Sequence, residues 1–147
     1  MKNFSTIKEF QEWRKGIKGS IGLIPTMGAL HNGHLSLVKA SNKLCNNTVV
    51  SIYVNPAQFS PDEDFSTYPQ SIQLDIDKLS KYLVECIFLP NDLEMYPQGF
   101  NTYVNEIGLS KFLEGKSRPI FFKGVTTVVA KLFNIISPTH AFFGKKD

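Results

Sequence analysis

Two of the three histidines in this 147-residue sequence, His31 and His34, bracket Asn32 and Gly33 within GLIPTMGALHNGHLSLVKA, where a short apolar run gives way to a helical pattern. If a helix starts near Asn32 or Gly33, a spacing of three puts both imidazoles on one side of its first turn, aimed at one ligand. A helix N-terminus carries unpaired N–H groups and about half a positive charge, so it attracts anions before any side chain is added. Gly33 lacks a side chain and lets a large ligand approach the backbone. Two imidazoles there can donate hydrogen bonds to phosphate oxygens and, when protonated, offset the charge that builds up during displacement at phosphorus. The chemistry favoured is phosphoryl or nucleotidyl transfer. A turn residue and a helix cap are the plain alternative for a bare HxGH, and the surrounding sequence must decide.

The elements that would position these residues follow an alternating order. Thr6 and Glu9 form a capping box, with Ile7, Phe10 and Trp13 at helical spacing, so the chain is expected to open with a short amphipathic helix. IGLIP reads as a strand buried on both faces, residues 34–44 as a helix turning Leu35, Leu37 and Val38 inward, and TVVSIYVNP as a second strand. A helix with Ile72, Ile76, Leu79 and Leu83 as its buried stripe should follow, then a strand at ECIFLP. NDLEMYPQGF and NTYVNEI suggest a loop and a small hairpin, the run from Gly124 to Ile136 a long buried helix, and HAFFG a last strand. This order builds an α/β fold, a Rossmann-like parallel sheet flanked by helices, as a single domain. Ligands of such sheets bind beyond the carboxyl ends of the strands, where PTMGALHNGH, NPAQF and GKKD all fall.

The totals narrow the classes. A net charge of +3 spread without a Lys/Arg block gives no support for nucleic acid or a membrane surface as partner. Charged residues interrupt the N-terminus before a signal peptide could form, and no stretch of ~18 apolar residues occurs, which points to the cytoplasm. Cys45 and Cys86 lack neighbours at ligand spacing and read as buried free thiols. Asp62, Glu63 and Asp64 read as a hydrated approach to a helix, so no protein metal ligand is expected. His140 reads as structural, and Phe121, Phe122, Phe142 and Phe143 as core.

IPTMGALHNGHLSLV, VSIYVNPAQF, MYPQG, LEGKSRP, GVTTVVAKLFNIISP and FFGKKD, in this order, resemble the pantothenate synthetase (pantoate–β-alanine ligase) family, within the HIGH-type nucleotidyltransferases. The resemblance implies a fold of that type and ATP-dependent condensation of pantoate with β-alanine through a pantoyl adenylate, with Mg²⁺. Carried onto this sequence, it implies that His31, His34 and Lys146 are catalytic. Met27, Gly28, His31, Gly33, His34, Gly144, Lys146 and Asp147 would line the ATP site, and Met27, Asn55 and Gln58 the pantoate site. It also implies a homodimer. Uncharged amides suit pantoate, since Asn and Gln can pair with its oxygens without an ion pair that would blunt the nucleophile.

Two departures qualify the implication. Ile120, Phe121 and Phe122 stand where the family usually continues Gly-His-Phe, so this loop is expected to pack differently or to impair turnover. Residues 1–147 would be the N-terminal nucleotide-binding domain, with the family's C-terminal lid domain absent from this chain. The alternatives are another HxGH nucleotidyltransferase acting on a phosphorylated acceptor, and a nucleotide-binding or dimerisation module without activity.

Overall fold

The computed structural model describes residues 1–60 and 71–145. Five parallel strands form one sheet: β1 Lys2–Phe4, β2 Ile21–Thr26, β3 Asn47–Ile52, β4 Cys86–Phe88 and β5 His140–Ala141, in the order β1-β4-β3-β2-β5. Helices α1 (Ile7–Lys15) and α6 (Phe121–Ile136) cover one face, α2 (Asn32–Leu44) and α3 (Ile72–Leu79) the other. Two short helices, α4 (Asp92–Met95) and α5 (Glu114–Ser117), lie in the connection between β4 and α6.

Period-two alternation sorts the core. Ile21, Leu23, Val49, Cys86 and Phe88 point towards α1 and α6 and pack with Phe10, Val128, Leu132 and Ile136. Ile24, Val50, Ile52 and Ile87 point the other way, onto Val38 and Leu79. A sheet covered on both faces explains why its strands read as continuous apolar runs. Cys86 is fully buried and Cys45 half-buried; both are free thiols.

Several expectations are corrected. The chain opens with β1, not with a helix: the backbone of Lys2–Phe4 pairs with Cys86–Phe88 at the sheet edge, a partner a local pattern cannot reveal. Ile72 and Leu83 are not part of a buried stripe but 47 % and 76 % exposed, and α3 ends at Leu79. The buried residues of α3 are Asp75 and Leu79, and the anchorage of Asp75 is described below. No hairpin forms over residues 101–107. Instead Thr127 Oγ1 accepts from the Val104 N–H at 3.0 Å, and Thr126 Oγ1 donates to the Val104 carbonyl at 2.6 Å. Those hydroxyls also lie within bonding distance of α6 carbonyls one turn back, and the run stays helical despite its Val and Thr content because Val128, Leu132 and Ile136 pack on the sheet. Phe121 and Phe122 are half-buried and Phe143 is exposed, so the four phenylalanines are not a core group; only Phe142 packs on a core cluster. The acids Asp62, Glu63 and Asp64, and the site candidates Lys146 and Asp147, lie outside the described residues.

Candidate functional site

Two turns leave the carboxyl ends of the adjacent strands β2 and β3. After Thr26 the chain turns through two consecutive left-handed residues, Gly28 (φ 87°) and Ala29 (φ 52°), before entering α2. A Cβ-bearing residue in that region stores strain, so something must hold it. Asp75 does. Its side chain is 2 % exposed; Oδ2 accepts from the Ala29 N–H at 2.9 Å and Oδ1 from the Leu30 N–H at 2.8 Å. One turn along α3, Lys78 Nζ donates to the Leu30 carbonyl at 2.6 Å. Thr26 Oγ1 completes the frame by donating to the Ser51 carbonyl and accepting from the Gly28 N–H.

At the end of this turn stand the histidines, with ring centroids 4.1 Å apart. His31 is the N-cap of α2: its Nδ1 accepts from the Gly33 N–H at 3.0 Å, while His34 Nδ1 accepts from the His31 N–H at 3.3 Å. A backbone N–H can only donate, so both Nδ1 atoms are unprotonated and each neutral ring carries its proton on Nε2. In this geometry Nε2 is the ring position of each histidine that can donate to a ligand. The first turn of α2 holds no acidic residue, so its positive end is not neutralised locally. Gly33 also has a role within the fold. A Cβ there would lie 2.8 Å from His31 Cε1, so the glycine makes room for the capping imidazole itself.

The amides stand at the 3-10 turn Pro56–Gln58 that follows β3, Asn55 as its N-cap and Gln58 as its last residue. Asn55 is 1 % exposed and uses every bonding position it has: Oδ1 accepts from the Ala57 N–H (3.3 Å) and the Tyr96 hydroxyl (2.6 Å), and Nδ2 donates to Gln58 Oε1 (3.0 Å) and the Gly124 carbonyl (3.1 Å). The backbone partners fix its orientation, since Gly124 O demands a donor and Ala57 N–H an acceptor. Gln58, 7 % exposed, must then give Asn55 its oxygen and keep Nε2 for Met27 Sδ, 3.2 Å away. Thioether sulfur is a weak acceptor that a ligand oxygen can replace. Gly124 permits this closeness, because a Cβ would run into the Ala57 carbonyl.

Around this turn stand residues without a role in the sequence reading. Arg118 Nη2 donates to the Gln58 carbonyl at 3.2 Å, and its guanidinium lies 4.1 Å from the centre of the Phe121 ring. The apolar ring that departs from the family pattern is thus the platform for that arginine. Tyr53 donates to Asp92 Oδ1 at 2.9 Å. Burial pushes the Tyr96 hydroxyl up to about 12, and raises Tyr53 further with help from Asp92, so both stay protonated donors. A cavity of about 290 Å³ opens beside Met27 and Gly28, bounded by Tyr53, Asp75 and Asp92. Among the described residues no group of three His, Cys, Asp or Glu side chains could hold a metal, and Asp75 is committed to backbone N–H groups.

Met27, Gly28, His31, Gly33 and His34 follow the carboxyl end of β2, Asn55 and Gln58 that of the adjacent β3, and Gly144 the neighbouring β5; the bond between Gln58 and Met27 joins the first two groups. Asp75, Tyr96, Thr26 and Arg118 support them and were missed; an acid on the apolar side of α3 was the one available signal.

A family model described as pantoate-beta-alanine ligase matches residues 2–147. The pantothenate synthetase of Thermosipho africanus is 52 % identical over 150 residues, covering 100 % of this chain and 54 % of that protein. That of Pseudothermotoga lettingae is 50 % identical, covering 100 % and 52 %. The crystal structure of pantothenate synthetase from Thermus thermophilus superposes with a TM-score of 0.92 at 41 % identity, over 97 % of this chain and 51 % of that one. Pantoate-beta-alanine ligase from Francisella tularensis, complexed with beta-gamma ATP and beta-alanine, gives 0.91 at 40 %, over 96 % and 55 %. The chain spans about half the length of the curated relatives it matches.

Proposed function

The chain belongs to the pantoate–β-alanine ligase family, and from that premise we propose that residues 1–147 are the N-terminal, nucleotide- and pantoate-binding domain of an enzyme making pantothenate from pantoate, β-alanine and ATP. The observations that support this reading are the pair of imidazoles capping the positive end of α2, which follows β2, and the amide turn that follows the adjacent β3 and reaches Met27 through Gln58 Nε2.

In the first step the pantoate carboxylate attacks the α-phosphorus of ATP; a carboxyl O–P bond forms, the bridge to the β-phosphorus breaks and pyrophosphate leaves. In the second, the β-alanine amine attacks the acyl carbon; the C–N bond forms, AMP departs and the amine loses a proton. No protein nucleophile is needed, so the chain's task is positioning and stabilising charge. His31 and His34 donate Nε2–H bonds to phosphate oxygens, Gln58 Nε2 donates to a pantoate oxygen, and Met27 and Gly28 line both subsites. Lys146, Gly144 and Asp147 are proposed for the phosphate side. The absence of an acidic cluster among the described residues suits Mg²⁺ that arrives on the nucleotide as part of the substrate. Side-chain amides favour a carboxylate acceptor over a phosphorylated one, which would call for Arg or Lys contacts.

The reading extends to a homodimer, supported by the exposed apolar run Ile107, Leu109, Phe112 and Leu113; light scattering on the purified chain measures it. No described helix is long and apolar enough to cross a membrane, and an ATP-consuming reaction belongs in the cytoplasm.

Calorimetric titration tests the site. The chain is expected to bind ATP, and His34→Ala to weaken that binding about tenfold, the effect of one lost hydrogen bond to a charged group. Unchanged affinity refutes the phosphate role, and pyrophosphate–ATP exchange that responds to a phosphorylated acceptor instead of pantoate favours the other nucleotidyltransferase.

A further inference from the structure

Tyr96 has no assigned role in the chemistry, yet its hydroxyl makes the shortest of the four bonds that saturate Asn55, 2.6 Å to Oδ1. Tyr96 closes α4, at whose start Asp92 accepts from Tyr53, two residues before Asn55. Two phenol bonds of opposite direction thus clip α4 to the chain leaving β3. The Tyr96 ring is held from its other sides by Phe100, 5.0 Å away edge-on, and by Lys131 Nζ, 5.3 Å from its centre.

The direction of the bonds carries the argument. Asn55 Oδ1 can only accept, so Tyr96 must be the donor. With that proton in place, the remaining link of Oδ1 is the long one to the Ala57 N–H, and both amide hydrogens are turned to Gln58 Oε1 and Gly124 O. Without it, a buried carbonyl oxygen keeps one weak partner, and the amide gains by tilting towards any other donor. Gln58 is the next link: its oxygen is pinned by Asn55, which is what leaves Nε2 for the crevice.

From this geometry we infer that Tyr96 is a positioning residue for pantoate recognition: through Asn55 it holds Gln58 with its nitrogen, and not its oxygen, towards the substrate. The inference rests on the proposed pantoate site. It also recasts Asn55, a candidate pantoate ligand, as the locked intermediate between Tyr96 and Gln58, because all four of its bonding positions are filled from within the chain.

The test compares the parent chain with Tyr96→Phe and with 4-aminophenylalanine at position 96, which keeps a donor on the same ring. Two readouts are taken: solvent exchange of the Asn55 side-chain NH₂ by NMR in the free protein, and calorimetric titration with pantoate and, separately, with ATP. Tyr96→Phe is expected to speed Asn55 exchange about tenfold and weaken pantoate about fivefold, the scale of one neutral hydrogen bond, with ATP affinity within about twofold of the parent. The amino variant should restore both changes, whereas a merely steric role would be met by Phe as well. Asn55 exchange that is the same in all three proteins overturns the inference, as does a pantoate affinity that Tyr96→Phe leaves untouched. If the parent takes up no pantoate while Asn55 exchange still follows the donor at 96, the pantoate reading fails and the positioning of the amides stands.

Discussion

Asp75 places both oxygens on the N–H groups of Ala29 and Leu30, so one side chain holds the left-handed turn that delivers His31 to the crevice. Asp75→Ala would leave two buried donors unsatisfied beside a strained residue. It is expected to cost about 2–4 kcal/mol in urea unfolding and to weaken ATP binding more than pantoate binding. Asp75→Asn, with one acceptor oxygen, should fall between. The histidines were legible from their spacing and from the residues around them, because a cap is local chemistry. The role of Asp75 was not, since its partners are 45 and 46 positions away and an acid on the apolar side of a helix shows only that some partner is needed, without saying which. The second use of Gly33 was hidden for a similar reason: the absence of a side chain is visible in the sequence, whereas only the folded chain shows the His31 ring beside it.

Among the helices, α6 meets the Pro56–Gln58 turn, the proposed pantoate subsite, most closely. Gly124 has no room for a Cβ against the Ala57 carbonyl, and its own carbonyl receives Asn55. Gly124→Ala must push the Pro56–Gln58 turn away or unwind the first turn of α6. A loss of about 1–3 kcal/mol is expected, with pantoate affinity falling in parallel; a thermal melt alongside the titration checks both. The strands and long helices were readable because their periods are written in their own residues. The stretch between β4 and α6 was not. Its extended part is bonded to Thr126 and Thr127 of a helix rather than to a neighbouring strand, and no alternation announces such a partner. β1 escaped notice because three residues are too few to carry a period.

For the molecule as a whole, the two buried phenols couple folding to alkaline pH. Tyr53 and Tyr96 hold their protons above the ordinary tyrosine value of 10.0, Tyr96 up to about 12. Above its ordinary value each such group is deprotonated in the unfolded chain and retained protonated in the folded one, and the buried Cys86 thiol, pushed from 9.0 up to about 12, joins them, so stability declines from about pH 9 and more steeply above pH 10. Urea midpoints at pH 8, 10 and 11 should fall across both intervals, per pH unit more steeply in the second, and Tyr96→Phe should flatten that second fall. The sheet order has a consequence for synthesis. β2 lies between β3 and β5, and β5 is 118 residues behind it, with the Thr139 N–H bonded to the Ile21 carbonyl and Arg14 of α1 bonded to the carbonyls of Ile136 and Ser137. A nascent chain emerging from the ribosome can pair β2 with β3 early, but it holds an open flank until these late residues clear the exit tunnel. Over that interval the uncovered edge is where a chaperone would bind, and where a pause in translation would do most harm.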